Sequence, residues 1–200
     1  EMFDISFCMD VVFRNNVGLN PNFTSSLTRA FAGGTPADYS PDPDDYPGAT
    51  GNFYGVVVNG VGFLNGDWGL WDGGSWIVEY TTSWLDKFKK NEQFADPDMH
   101  EGRVTTQIGV RFRPTWYQVF PGWDMTLPVA VNYAIDGENP PQGIILEEEV
   151  GNGSVGIEFN IDQVWIATAQ YNMFFGPANP GTTGPLKDRD NVSLTVSRTF

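Results

Sequence analysis

Trp123-Asp124-Met125-Thr126-Leu127-Pro128-Val129-Ala130-Val131-Asn132-Tyr133-Ala134 alternates apolar and polar or small residues throughout. Trp123, Met125, Leu127, Val129, Val131 and Tyr133 share one face. Asp124, Thr126, Pro128, Ala130, Asn132 and Ala134 share the other. A period of two is the signature of a strand with two different environments on its faces. Trp123 and Tyr133 stand ten residues apart. That is ~33 Å of strand, or about 24 Å along a membrane normal at a tilt of roughly 45°. The apolar band of a transmembrane barrel is about 25 Å tall and is edged by aromatic girdles. The stretch therefore predicts a membrane-crossing strand.

The same period recurs on either side. Trp165, Ala167, Ala169, Tyr171, Met173 and Phe175 form one face of 163–176. Phe3, Ile5, Phe7, Met9, Val11 and Phe13 alternate with Asp4, Ser6, Cys8, Asp10 and Arg14. Trp76, Val78, Tyr80 and Trp84 alternate with Glu79, Thr81 and Ser83. Strands are predicted over 3–14, 53–64, 75–86, 103–117, 123–134, 153–160, 163–176 and 191–200. The fold class is all-β: an antiparallel up-and-down meander of about eight transmembrane strands. The weakest pattern is at 53–64, where Val56, Val57 and Val58 load both faces and Gly55, Gly60 and Gly62 dilute them. Connections alternate in length. Those at 15–52, 87–102, 135–152 and 177–190 are long, and those near 65–74, 118–122 and 160–163 are short. Bacterial barrels have short periplasmic turns and longer extracellular loops, which puts Phe200 on the periplasmic side.

Composition narrows the class. The 200 residues carry a net charge of −14, with 18% charged and 14% aromatic residues, 23 Gly and 14 Pro. So acidic a balance excludes nucleic acid and anionic membrane surfaces as partners, since both need a basic face. The single cysteine, Cys8, allows no internal disulfide. No stretch approaches the 18 consecutive apolar residues of a transmembrane helix. The N-terminus lacks a basic n-region, an apolar h-region and a cleavage site, so the natural protein is expected to start upstream. Residues 1–200 read as a single β-barrel segment without separate domains.

The last strand, Asn191-Val192-Ser193-Leu194-Thr195-Val196-Ser197-Arg198-Thr199-Phe200, sets Val192, Leu194, Val196 and Phe200 against polar residues. It resembles the C-terminal assembly signal of outer-membrane proteins. It departs at Arg198, where that signal carries an aromatic. An Arg near the interface costs about 0–1 kcal/mol, against about 2–4 at the midplane. Two stretches are more specific: Phe112-Arg113-Pro114-Thr115-Trp116-Tyr117-Gln118-Val119-Phe120-Pro121-Gly122-Trp123-Asp124, running on through Leu127-Pro128-Val129, and Lys187-Asp188-Arg189-Asp190-Asn191-Val192-Ser193-Leu194. Both resemble the C-terminal region of a proteobacterial outer-membrane family known as a domain of unknown function (DUF1302). Met9 to Leu19, with Phe13-Arg14-Asn15-Asn16, is similar to it as well. The resemblance covers most of this chain and roughly the last third of a typical member. It implies the C-terminal fragment of a larger barrel, of more than eight strands, in the bacterial outer membrane. It implies lipid, lipopolysaccharide and the barrel assembly machinery as partners, and it carries no catalytic residue.

Candidate chemistry is sparse. Arg103, Gln107, Arg111 and Arg113 alternate with Val104, Ile108, Val110 and Phe112, and Glu79 lies on the neighbouring strand. With lipid on the apolar side these five face the lumen, where charge tunes selectivity; the same residues also suit an ion-pair lattice bracing the wall. Trp76, Trp84, Trp116, Trp123, Tyr133, Trp165, Tyr171 and Phe175 are the expected aromatic girdle. The same tryptophans would suit a sugar-binding surface less well. The acidic clusters Asp42-Pro43-Asp44-Asp45, Asp96, Asp98 and Glu101, and Glu147-Glu148-Glu149 lack the spacing of a calcium loop and read as solvated loops. Gly151-Asn152-Gly153-Ser154-Val155-Gly156 matches a dinucleotide fingerprint by letter only, for it opens a strand and not a helix. His100 reads as solvated, and Cys8 has no basic neighbour to activate it. With no nucleophile–base pair and no metal-ligand spacing, neither an enzyme nor a cofactor is expected. The sequence thus predicts an outer-membrane barrel acting as a channel or as an export or uptake component for a solute, with apolar solutes among the candidates. The rival is a soluble secreted β-sandwich that binds carbohydrate.

Overall fold

The computed structural model describes residues 5–18, 49–92, 103–137, 148–177 and 186–199. These residues form one antiparallel sheet with almost no helix. Its strands are β1 (Ile5–Gly18), β2 (Thr50–Asn65), β3 (Gly73–Lys90), β4 (Val104–Phe120), β5 (Trp123–Thr126), β6 (Val129–Asp136), β7 (Gly151–Ile161), β8 (Trp165–Phe175) and β9 (Asn191–Arg198). Each strand pairs with its sequence neighbours, save that β5 and β6 lie end to end between β4 and β7. Among the described residues β1 pairs only with β2, and β9 only with β8, so the sheet has two open edges.

The strand predicted over 123–134 is interrupted at Leu127 and Pro128. Proline has no N–H to give to the ladder. On β4 the same stretch meets Pro114, a second residue without a donor. The chain nevertheless holds its place: Leu127 N–H donates to the Pro114 carbonyl at 3.0 Å, and Gly156 N–H to the Pro128 carbonyl at 2.9 Å. Other strands run past their predicted ends. β3 reaches Lys90 and β4 reaches Phe120.

The short connections are built by residues that suit them. Pro121 and Gly122 join Phe120 to Trp123, with Gly122 at φ 79°, the proline–glycine order of a type II turn. Asp162 and Gln163 have φ of 52° and 57°, and Val164 N–H returns to the Ile161 carbonyl, a type I′ turn that matches strand twist. The connection at 66–72 is longer and contains a 3-10 turn over Gly66–Trp68. These three connections lie at one end of the sheet, hereafter the turn end. The strand ends that flank the longer connections lie at the opposite end, hereafter the loop end.

Strand register carries one apolar face across the whole sheet. Phe7 pairs with Gly60, Met9 with Val58, Val11 with Val56 and Phe13 with Tyr54. The row continues from Val58 to Tyr80, Ile108 and Tyr133, and from Val78 through Val110 to Val131. It ends with Ala167 opposite Val196 and Ala169 opposite Leu194. This face is open on the edge strands, where Phe7 is 77% exposed and Leu194 79%, and mostly half-buried on the inner ones. The few buried apolar side chains, Ala49, Phe53, Leu85, Ala134 and Val150, gather towards the loop end.

Glycine does not break β2, contrary to what its composition suggests. On the apolar face, the rings of Phe7 and Trp76 lie over Gly60, and the Trp76 indole lies against Gly62. The aromatic covers glycine backbone and gains a flat seat in return. Phe175 lies over Gly151 in the same way, with the Asn132 carbonyl also close by. Gly151→Val is therefore expected to cost about 1–3 kcal/mol through overpacking, read as a lower midpoint of urea unfolding. An unchanged midpoint would show that the Phe175 ring moves away freely.

Candidate functional site

The face opposite the apolar one is mixed: it carries Val12, Val61, Phe63, Ile77 and Ile166, together with the charged and amide side chains, and four of the five predicted lumen residues lie on it. Glu79 pairs with Gly109, Thr81 with Gln107, Ile77 with Arg111 and Ser75 with Arg113, all on one side of the β3–β4 ladder. Arg103 comes just before β4. Its carbonyl accepts from Leu85 N–H at 2.8 Å, and its guanidinium sits 5.7 Å from the Phe88 ring centre.

Arg113 Nη2 donates to Glu158 Oε1 at 2.9 Å. Glu158 is on β7, so this pair passes over the β5–β6 strand at its proline interruption. Glu158 was not among the predicted residues. Its partner is two strands away, and sequence alternation reports a residue's face without reporting its reach. The same face carries a run of side-chain amides. Asn132 donates to Asn152 at 2.9 Å, Gln170 to Asn172 at 2.6 Å and Asn172 to Asn191 at 2.9 Å. Thr115 and Thr126 share a 3.0 Å hydroxyl contact. The Gln170–Asn172 contact lies within β8; the other three are cross-strand pairs, each stabilising a sheet by roughly 0.2–1 kcal/mol.

The eight predicted girdle residues all lie on the apolar face, sorted to its two ends. Trp76, Trp116, Trp123 and Trp165 are at the turn end, where Trp123 packs edge-on to Phe120 at 6.1 Å and Phe159 at 5.6 Å. Trp84, Tyr133 and Phe175 are at the loop end. Trp84 stacks on Tyr54 at 5.3 Å, and Tyr133 on Phe175 at 6.1 Å. Tyr171 starts nearer mid-strand, but its hydroxyl reaches Asp190 beyond the loop end of β9 at 2.6 Å.

In the terminal strand Val192, Leu194 and Val196 are exposed on the apolar face, while Phe200 lies outside the described residues. Arg198 pairs with Trp165 and places its guanidinium 5.2 Å from that ring, so the departure from the usual signal is met by a cation–π contact. Gly151 to Gly156 lie inside β7, so the fingerprint-like letters belong to a strand. Cys8 is exposed on β1. His100, Asp42, Asp44, Asp45, Asp96, Asp98, Glu101 and Glu147 lie outside the described residues. Among the described residues no three His, Cys, Asp or Glu gather closely enough to hold a metal ion.

Compared with known families, the chain matches over residues 1–200 the model described as "Protein of unknown function (DUF1302)". No curated protein matches it, and no solved structure does.

Two measurements probe these contacts. The Arg113–Glu158 side chains are 45% and 23% exposed, so a double-mutant cycle with Arg113→Gln and Glu158→Gln should give a coupling of only about 0.2–1 kcal/mol. A much larger coupling would mean the pair is shielded from water. At Asp190, the Tyr171 hydroxyl and then the Phe174 N–H hold the carboxyl below its usual range. A carboxyl depressed on folding adds stability above its unfolded pKa and loses it as pH falls through the folded value. Tyr171→Phe should therefore lower the unfolding midpoint at neutral pH, with the gap closing in acid. A gap constant with pH would assign the effect to packing.

Proposed function

The chain belongs to the DUF1302 family of proteins of unknown function, and on that footing we propose that it forms part of the wall of a β-barrel in the bacterial outer membrane, acting as a channel or an export or uptake component for a solute. One observation carries the reading: an apolar face on a single sheet, open on the edge strands, half-buried to exposed on the inner ones, and edged at both ends by aromatic rows. Phe7, Val192, Leu194 and Val196 are each more than two-thirds exposed. Leaving such a side chain in water forgoes roughly 1.5–3 kcal/mol. Contiguous patches of this extent mark a surface that something covers.

Lipid covers such a face without a second protein layer. The backbone agrees, because antiparallel pairing satisfies N–H and C=O groups between strands, as hydrocarbon demands. A soluble sandwich would need a second sheet packed about 10 Å away. The described residues contain a single sheet. The open edges at β1 and β9 call for further strands to complete the ring. The turn end is then periplasmic, the loop end extracellular and the polar face the lumen wall.

Leu194 sits halfway along β9 on the apolar face. Leu194→Arg should cost about 2–4 kcal/mol, the penalty for Arg at the bilayer midplane, and should deplete the protein from the outer-membrane fraction. Ser193→Arg, one residue away and facing the lumen, should be tolerated. Equal tolerance of both, or recovery of the native protein in the soluble periplasm, would sink the membrane reading.

A further inference from the structure

Arg111 and Arg113 stand two residues apart on one face of β4, yet their surroundings differ. Arg113 is engaged by Glu158 at 2.9 Å. Arg111 is exposed, and among the described residues no carboxylate lies within ion-pair reach of it. The nearest acid on its face is Glu79, which pairs with Gly109, one diagonal step away, and makes no hydrogen bond to it. The register places Ile77 on one side of Arg111 and Ala130 on the other. Beyond Ala130 the row continues through Ser154, Asn172 and Asn191. This row contains hydroxyl and amide groups and no acid. Ala130 is too short to close the space between the guanidinium and Ser154.

An arginine with five N–H donors and no carboxylate suits a planar anion, which it binds through two parallel hydrogen bonds. The Ser154 hydroxyl on the same row can hold a hydroxyl or amide group of the same solute without competing for the guanidinium, whereas Asn172 and Asn191 already bond each other. Strands are spaced by about 4.8 Å, so Ser154 lies about 10 Å from Arg111 along the row, within the span of a small organic anion plus the arginine side chain. We infer that Arg111 is the anion-contacting residue of the lumen wall, and that the solutes it selects are small carboxylates bearing hydrogen-bonding groups. This rests on the channel reading above. It moves the solute class away from the apolar candidates raised by the sequence.

The test uses the full-length protein in planar bilayers under a potassium chloride gradient, repeated with potassium acetate. Arg111→Gln should move the reversal potential towards the potassium equilibrium value in both salts, and Arg111→Lys should restore most of the shift. Arg14→Gln removes the same charge from the same face near the loop end, and should move it far less. Ion currents in which Arg111→Gln shifts no more than Arg14→Gln would overturn the inference and leave the channel standing. Absence of any current in the wild-type protein would overturn the channel reading and the inference with it.

Discussion

Interstrand hydrogen bonding is the constraint on which everything else rests. The described residues form a single layer, with a buried apolar cluster only near the loop end. Strands are held laterally, by ladders and by the side chains beside them. In a soluble domain the apolar faces of two layers meet and stabilise both. Here each strand depends on its two neighbours, and continuity of pairing matters more than packing depth. That gives weight to the lateral contacts of the sheet: rings over glycines on β2 and β7, amide pairs between β6 and β7 and between β8 and β9, and an ion pair bridging the proline interruption.

Much of the sheet was legible because two unlike faces impose the strongest alternation a strand can carry. Trp123 to Tyr133 displays that alternation plainly, and its register follows it. What alternation does not report is continuity along the strand. The Pro128 interruption depends on Pro114 standing in the adjacent strand, a coincidence between residues far apart in sequence. The dilution of β2 by Gly60 and Gly62 misled for a related reason: the rings that cover those glycines come from β1 and β3. Strand ends were underestimated where the residues turn polar while the pairing continues, as at Lys87 to Lys90.

The candidate site divides in the same way. That Glu79, Gln107, Arg111 and Arg113 share a face follows from their spacing alone. Which of them is engaged depends on what stands two strands away, and the partner, Glu158, carries no signal of its own. Arg198 shows the converse. By sequence it is a departure from an assembly signal, and only the pairing of β8 with β9 shows that it rests on Trp165.

The prolines at neighbouring positions of adjacent strands have a mechanical consequence. Two neighbouring positions of the sheet lack donors, and the chain between β5 and β6 is held there by single bonds to Pro114 and from Gly156. Fewer ladder hydrogen bonds cross the sheet along that line, so the sheet resists creasing less there than in the continuous ladders on either side. The Arg113–Glu158 contact spans the crease on the polar face. It is a weak tie across a built-in fold line, biasing the sheet towards curvature on that face without fixing it.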